Sequence, residues 1–431
     1  MSTSVSKQQD LESVAGSTPP SSRISSQRAG LVALCGLCLS ILAGCSAGPD
    51  FVRPDAPAGV THYNHGGDPR QTVAVEGVSQ RFESGTEPVA NWWRLFNSKQ
   101  LDFAVSQGLA DNPGLQAAES SLRVSQDNLR AGSGIFYPQL SASFGESREK
   151  GSTATPLSTF SGGIFNLTTL TASVNYALDV FGAQRRMVEG LGAQADQQLV
   201  GKTPAEWHTQ EVLLADIALP QNLPHSLPSE LVRQRPDILV AEAQLHQASA
   251  GIGVTTAAMF PSVTLNADYG RSSRQMNNLF DGRSSVWGVG ADVNLPLFNG
   301  GTLSARRRGA IDAYQQSFSL YRQTVLSAFA QVADIVRALE HDAEVSQFQA
   351  RSVDDAELSL NLLRKNYQSG LVNYLQVLNA EILYHQTRVN DLQAKAQHLQ
   401  DTTALFVALG GGWTHDAKAR EYVDLKGTIG K

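Results

Sequence analysis

The chain has 431 residues, with 34 Lys and Arg against 40 Asp and Glu, a net charge of −6, 42% apolar residues and three cysteines. That length and mixture fit one to three domains with a substantial core, and they exclude disordered, collagen-like and disulfide-scaffold chains. The acidic balance, with no basic run able to neutralise many phosphates, excludes a dedicated nucleic-acid binder.

Residues 29–44 (AGLVALCGLCLSILAG) follow Arg23 and Arg28. The run is too short for a membrane span of about 20 residues and reads as a secretory signal. All three cysteines, Cys35, Cys38 and Cys45, lie in or directly after it. Leu42-Ala43-Gly44-Cys45 resembles a bacterial lipobox, in which small residues admit the signal peptidase and the cysteine thiol is acylated before cleavage. The expected mature chain begins at Cys45, which carries a diacylglycerol and an acyl chain; no cofactor is expected. An ordinary signal peptide with a chance cysteine is the alternative. Residues 46–431 contain no cysteine, so disulfides, zinc–cysteine sites and cysteine nucleophiles are excluded from them.

The chain repeats itself. NPGLQAAESSLRVSQDNLRAGSGIFYPQLSASFG begins at Asn112 and RPDILVAEAQLHQASAGIGVTTAAMFPSVTLNADYG begins at Arg235; Pro113 to Pro138 and Pro236 to Pro261 are both 25 residues. Each copy runs into alternating segments. Leu140, Ala142 and Phe144 alternate with small or polar residues, and so do Leu170, Ala172, Val174, Tyr176 and Leu178. The second copy does the same through Val263, Leu265, Ala267 and Tyr269, then Trp287, Val289, Ala291, Val293 and Leu295. Period-two alternation predicts four strands, two per copy, with one apolar face. Pattern alone leaves open an ordinary antiparallel sheet over a soluble core or a membrane sheet. Four strands cannot close a barrel, so a membrane sheet would have to pool strands from several chains.

After Pro296-Leu297-Phe298-Asn299-Gly300-Gly301, residues 310–369 contain no Gly or Pro. As a helix this run is about 90 Å long. Tyr314, Phe318, Tyr321, Val325, Phe329, Val332, Val336 and Leu339 mark its apolar stripe. Ser369-Gly370-Leu371-Val372-Asn373 breaks it, and a second helix follows. Its expected seam is Leu375, Leu378, Ile382, Val389, Leu392, Ala396, Leu399 and Phe406, with His385 and Thr403 in the remaining slots. The first copy lacks this antiparallel hairpin: Phe298 to Gly410 takes 112 residues, and Phe181 to Gly201 takes 20. About 92 residues are missing, worth roughly 70 Å of hairpin when shared between two arms. The expected segments are a signal over 1–44, an N-terminal lipidated segment over 45–97, a first repeat over 98–201, a linker over 202–229, a second repeat over 230–413 and a tail over 414–431.

These residues carry a resemblance over almost the whole mature chain. GPDFVRP at 48–54, NWWRLF at 91–96, LDVFG at 178–182, LVRQRPDILVAEA at 231–243, PLFNGGTLSA at 296–305 and ALGGGW at 408–413 resemble, in order, the outer-membrane factors of tripartite efflux systems, and more narrowly the NodT-type outer-membrane efflux lipoproteins related to TolC. The resemblance implies an α+β membrane protein. In it a homotrimer pools four transmembrane strands per chain into a twelve-stranded barrel, and long helical hairpins form a periplasmic tunnel. It also implies an outer-membrane location, a periplasmic adaptor and an inner-membrane pump as partners, and passage of small molecules without catalysis. By motif position, Tyr367, Leu375, Asn379 and Ile382 correspond to the periplasmic aperture. Relatives usually carry Asp where Asn379 stands and Arg where Ile382 stands, so that ion pair is not available here. Seam packing is the other reading of these four. A non-conducting lipoprotein of the same family is the alternative that the shortened first copy raises.

Other motifs point nowhere catalytic. His62 and His65 lack a third metal ligand nearby, and His385 is expected on the helical seam. Gly251-Ile252-Gly253 lies inside a helical repeat and reads as helix packing. No Gly-x-Ser-x-Gly elbow or P-loop is present, and no enzyme is expected.

Overall fold

The computed structural model describes residues 46–56, 59–75, 77–150, 163–200 and 214–411. The expected signal, Cys45, most of the loop between the first two strands, and the tail lie outside the described residues.

Each repeat contributes a helix, two strands and a second helix. The first has α1 (Lys99–Asp111), α2 (Pro113–Ser133), β2 (Gln139–Lys150), β3 (Ile164–Leu178) and α3 (Ala183–Val200). The second has α4 (Pro228–Gln234), α5 (Pro236–Ala257), β5 (Ser262–Ser273), β6 (Ser285–Asn294), α6 (Thr302–Gln368) and α7 (Tyr374–Ala408). Proline at the first helical position starts both α2 and α5, where a missing N–H is harmless. Asn112 strengthens the first start, its Oδ1 accepting from the N–H of Gly114 at 2.8 Å.

The four long strands form one antiparallel sheet in the order β2-β3-β5-β6. The helices that lead into or out of those strands stand in the same order, α2 beside α3, α3 beside α5, and α5 beside α6. The result is a four-stranded ribbon that continues into a four-helix ribbon.

At the far end of α5 the second repeat changes partner. Arg235, which begins α5, donates from Nη1 to the last-turn carbonyl of α7 at Ala408 (3.0 Å) and to Ala328 of α6 (3.5 Å). A guanidinium on the last carbonyls of a helix satisfies groups that have no intrahelical donor. Helices α5 and α7 therefore meet end to end along α6. Helix α6 has 67 residues and α7 has 35, so α7 covers only the distal part of α6 and α5 covers the rest. The shortfall in the first repeat takes the same unequal form. Helix α3 has 18 residues where α6 has 67, a difference of 49, or about 74 Å at 1.5 Å per residue.

The largest core lies where α5, α6 and α7 meet a small parallel pair, β1 (Arg81–Ser84) with β4 (Asn222–His225). Phe82, Phe96, Leu223, Leu231, Ile238, Val332, Val336, Leu339, Leu405 and Phe406 are buried there. Trp92 stacks on Phe406 at 5.0 Å, which gives the Asn-Trp-Trp segment its structural work. Tyr321, Val325, Val332, Val336 and Leu339 of the expected α6 stripe are buried.

On α7 the expected seam holds only near the C-terminal end, where Phe406 is buried and Leu399 packs on the core. The buried residues are Val377, Ala380, Asp391, His398, Thr402, Leu405, Phe406 and Ala408, whereas Leu375, Ile382, Val389 and Leu392 are exposed. His385 is exposed too, and the seam histidine is His398. Polar residues occupy the true seam because a fixed network satisfies them. His398 Nε2 lies 2.7 Å from Gln80 Oε1, and Gln80 Nε2 donates to Pro220 O (3.1 Å) and Thr402 Oγ1 (3.3 Å). Burial holds His398 below its ordinary pKa and so keeps it neutral.

One turn away, burial pushes the Asp342 carboxyl up to about 7, helped by the hydrogen bond and charge of Asp401. Its folded pKa lies above the unfolded value, so its contribution to stability is full below about pH 4 and is lost as pH rises towards 7. His398 acts oppositely over part of that range, because its folded pKa is depressed. Asp342→Asn removes only the falling contribution. In detergent-solubilised protein followed by circular dichroism, the melting temperature of that variant relative to wild type should rise by a few degrees between pH 5 and pH 7.

Candidate functional site

The register of the sheet collects the alternating residues of all four strands on one face. Leu140 lies opposite Val174, Val174 opposite Ala267, and Ala267 opposite Val289. The next rows are Ala142, Ala172, Tyr269 and Trp287, then Tyr176, Leu265 and Ala291, then Leu178, Val263 and Val293. The other face carries Ser173, Asn175, Asn266 and Asp268, which with Gly288 and Gly290 line an open hollow of about 430 Å³.

 Asn266 Nδ2 donates to Asp292 Oδ2 across the strands at 2.7 Å. Gly288 faces Asp268 and Gly290 faces Asn266, and a Cβ at either position would collide with those side chains. The glycines of β6 leave room for a polar face. Strands β2 and β6 are the edges, and among the described residues neither has a partner on its outer side.

The N-terminal segment enters where this sheet turns into helices. Ala47 N–H donates to Phe181 O at 2.9 Å, and Gly182, at φ +76°, packs against Ser46. Cys45 lies outside the described residues, but the chain next to it starts at the strand–helix junction. Phe181 stacks there on Phe260 with centroids 4.9 Å apart. Arg186 then pins the segment, donating to Asp50 (2.7 Å), Glu189 (2.8 Å) and the carbonyl of Ala47 (3.3 Å). Burial opposes ionisation of Glu189, but hydrogen bonds from His246 and Arg186 outweigh it and hold the carboxyl below its ordinary range. Phe51 stacks on His246 at 4.3 Å.

Gly253 explains the Gly-x-Gly. Arg186 crosses so close that a Cβ on Gly253 would lie 2.5 Å from its Cγ, and Gly48, at φ +92°, packs on the Gly253 backbone. Gly251 has nothing within 4 Å of its would-be Cβ. His62 and His65 are exposed, and among the described residues no group of three or more His, Cys, Asp or Glu could hold a metal. The residue drawn inward is Tyr63, whose hydroxyl donates to Ser226 O at 2.8 Å.

At the hairpin tip, Leu371 N–H donates to Asn366 O at 2.9 Å across Gly370, at φ +75°. This is the left-handed helix ending that glycine permits. Asn373 then caps α7, accepting from Gln376 N–H at 3.1 Å. Leu360, Val377 and Ala380 pack beneath the turn. Leu375, Asn379 and Ile382 follow one another at i, i+4 and i+7, so they share a face of α7. That face points away from α6, with Leu375 63% and Ile382 68% exposed. Tyr367 sits apart from them, against Tyr374 at 5.5 Å. An ion pair does link the two helices, between Arg364 and Glu381 at 2.9 Å, at positions that the sequence reading did not single out.

A four-stranded ribbon that continues into helices and ends in a long hairpin defines the class: an α+β chain. Residues 227–411 match the family model described as outer membrane efflux protein, and that stretch is similar to the family. It is 35% identical over 227 residues to the probable outer membrane lipoprotein SilC of Salmonella typhimurium, covering 52% of this chain and 49% of SilC. It is 35% identical over 190 residues to the cation efflux system protein CusC of Escherichia coli K12, covering 44% and 42%. The chain thus spans about half the length of the curated relatives it matches. The open-state structure of the outer membrane channel MtrE of Neisseria gonorrhoeae superposes with a TM-score of 0.70 at 21% identity, over 86% of this chain and 99% of that one. That likeness shows the fold.

Gly253→Val should lower stability by about 1–3 kcal/mol through the collision with Arg186. Gly251→Ala, in the same helix but in open space, should raise it by about 0.5–1 kcal/mol. Thermal or denaturant unfolding of the two variants side by side checks both.

Proposed function

We propose that the chain is the outer-membrane exit channel of a tripartite efflux system. Three copies pool their strands into a twelve-stranded barrel, and the hairpins extend into the periplasm towards an adaptor and an inner-membrane pump. The observation that carries this reading is the sheet, with one apolar face across four strands and two unpaired edges. From Leu170 to Leu178 the apolar face of β3 covers nine residues, which matches the 9–11 that a tilted strand needs to cross a bilayer. Among the described residues no helix is long and apolar enough to cross a membrane. Closed sheets satisfy every backbone group in lipid.

In this reading Cys45 carries the lipid, and the position of Ser46 at the strand–helix junction supports it: an acyl chain there would reach the membrane beside the barrel. Leu375, Asn379 and Ile382, with Tyr367 at the turn, form the periplasmic aperture, and the exposure of their shared face supports that. The pump chooses the cargo, taken as small molecules, because no described side-chain cluster forms a selective site.

The second reading is a non-conducting lipoprotein of the same family. The 18-residue α3 opposite the 67-residue α6 favours it, since the first repeat supplies no long arm to the tunnel wall.

Protein extracted in mild detergent from sorted outer membranes should have the native mass of a trimer and a heat-modifiable mobility. Monomer or aggregate would sink the channel reading. Restoration of drug or metal tolerance in a strain deleted for the gene separates a conducting trimer from a silent one, and Cys45→Ala should reduce the outer-membrane fraction.

A further inference from the structure

Between the N-terminal segment, residues 214–221 and the middle of the α6–α7 hairpin lies a cavity of about 530 Å³. Val75, Val78, Ile217, Leu219 and Leu399 give it an apolar wall, and its polar residues are Gln221, Ser346, Lys395 and His398. Its rim is tied down. Val75 pairs with Val78, Gln347 Nε2 donates to Ala74 O at 3.0 Å, and Ala218 N–H donates to Phe96 O at 2.9 Å. Ser346 stands roughly 33 Å along α6 from the hairpin tip, at 1.5 Å per residue, so the cavity is apart from the aperture residues and from both faces of the four-stranded sheet.

Ser346 is the observation that points to a ligand. On α6 and α7, Ser319, Thr324, Ser352, Thr387, Thr402 and Thr403 each donate a hydroxyl to the carbonyl four residues earlier. Ser346 is only 1% exposed, and among the described residues its Oγ has no hydrogen-bond partner. A buried hydroxyl left unpaired costs free energy. One water, with its share of about 30 Å³, would satisfy it. The cavity is many times that size and has an apolar wall, which suits a larger and partly apolar occupant.

We propose that this cavity binds a small molecule with an apolar body and one neutral hydroxyl group, an alcohol or a phenol. Sites for small molecules span about 300–1,000 Å³ and combine apolar walls with a few placed polar groups. The head group follows from the polar residues. Gln80 is oriented by its Nε2, which donates to Pro220 O and Thr402 Oγ1, so its Oε1 accepts from His398. In a neutral ring that makes Nε2 the protonated nitrogen and Nδ1 an acceptor. Lys395 donates, and Ser346 can donate or accept. A hydroxyl head matches both kinds of group. A carboxylate can only accept; the charge of Lys395 is already balanced by Asp391 at 3.2 Å, and Asp401 lies close enough to act on His398. An ammonium would meet Lys395. The site stands whether or not the chain conducts.

Photolabelling with a diazirine derivative of octanol tests this on the full chain held in amphipathic polymer, free of detergent and lipid. Mass spectrometry should place the label on the segments that carry Ile217 and Leu219 or Leu399. Excess octanol should displace it, and octanoate and octylamine should do so several-fold less well. Ser346→Ala should weaken displacement by octanol several-fold. Because it deletes a hydroxyl that has no partner, it should leave the melting temperature unchanged or higher, which loss of a structural hydrogen bond would not. Ala218→Phe, and independently Val78→Trp at a partly exposed position, should abolish labelling in protein that still melts cooperatively; if neither folds, Ser346→Ala and the competitors decide. Label that survives a folded blocking variant, or that falls only on the strands, would overturn the site. Equal competition by octanoate or octylamine would overturn the hydroxyl head. No label on folded wild-type protein would mean that water fills the hollow, and the proposal would fall.

Discussion

Everything in this chain depends on the hydrogen bonds that its edge strands lack. A strand has donors and acceptors on both sides, and β2 and β6 each use only one side. An exposed edge with a flat apolar face invites pairing. On β2 the face is apolar at Leu140, Ala142 and Phe144 and continues with charge at Glu146, Arg148 and Lys150, so the edge is left unblunted only over its helix-proximal half. The pairing that completes the sheet is also what would allow it to sit in lipid, because lipid offers no water to the unpaired groups.

The strand–helix junction turns that constraint into a continuous wall. Each strand runs directly into its helix, and the order of helices copies the order of strands. The N-terminal segment is threaded through the junction by Arg186, which reaches Asp50, Glu189 and the backbone of Ala47 at once. Gly253 and Gly48 are the spaces that let it pass. A buried arginine with two carboxylates and a carbonyl is satisfied only in one arrangement, so it fixes the path of the segment as well as holding it.

Much of this was legible in the sequence. Period-two alternation located the strands, and the repeated Pro-to-Pro spacing located the helices that precede them. The α6 stripe was legible because apolar residues fill its seam. The α7 seam was not, because Asp391, His398 and Thr402 occupy it and are satisfied by neighbours such as Gln80, 318 residues from His398 in sequence. Periodicity in hydrophobicity finds a seam only where the seam is apolar; on α7 it found Leu399 and Phe406 near the C-terminal end, and an exposed face at Leu375, Ile382, Val389 and Leu392. The end-to-end meeting of α5 and α7 was hidden for a related reason. Nothing local in Arg235 says that its guanidinium will bond to the end of a helix 173 residues later.

That exposed face bears on what the shortened first repeat does to a duct. In the proposed ring of three copies the four helices beside each sheet would give twelve, while the distal hairpins would give six. At an interaxial distance of about 10 Å, twelve helices place their axes about 19 Å from the centre and six place them about 10 Å from it. Subtracting a helix radius of about 5 Å leaves bores of roughly 14 Å and 5 Å in radius. The distal 35 residues of hairpin are about 52 Å long, so moving inward by 9 Å needs a tilt of only about 10°, within the gentle curvature of long helices. Narrowing therefore requires no break in α6. What drives or prevents it is whether the apolar edge of α7, at Leu375, Ile382 and Val389, finds Phe348, Leu358 and Leu362 of a neighbouring α6; all six are exposed in the single chain. If those edges meet, the missing arm makes the duct thinner; if they stay apart, it leaves gaps between the hairpins.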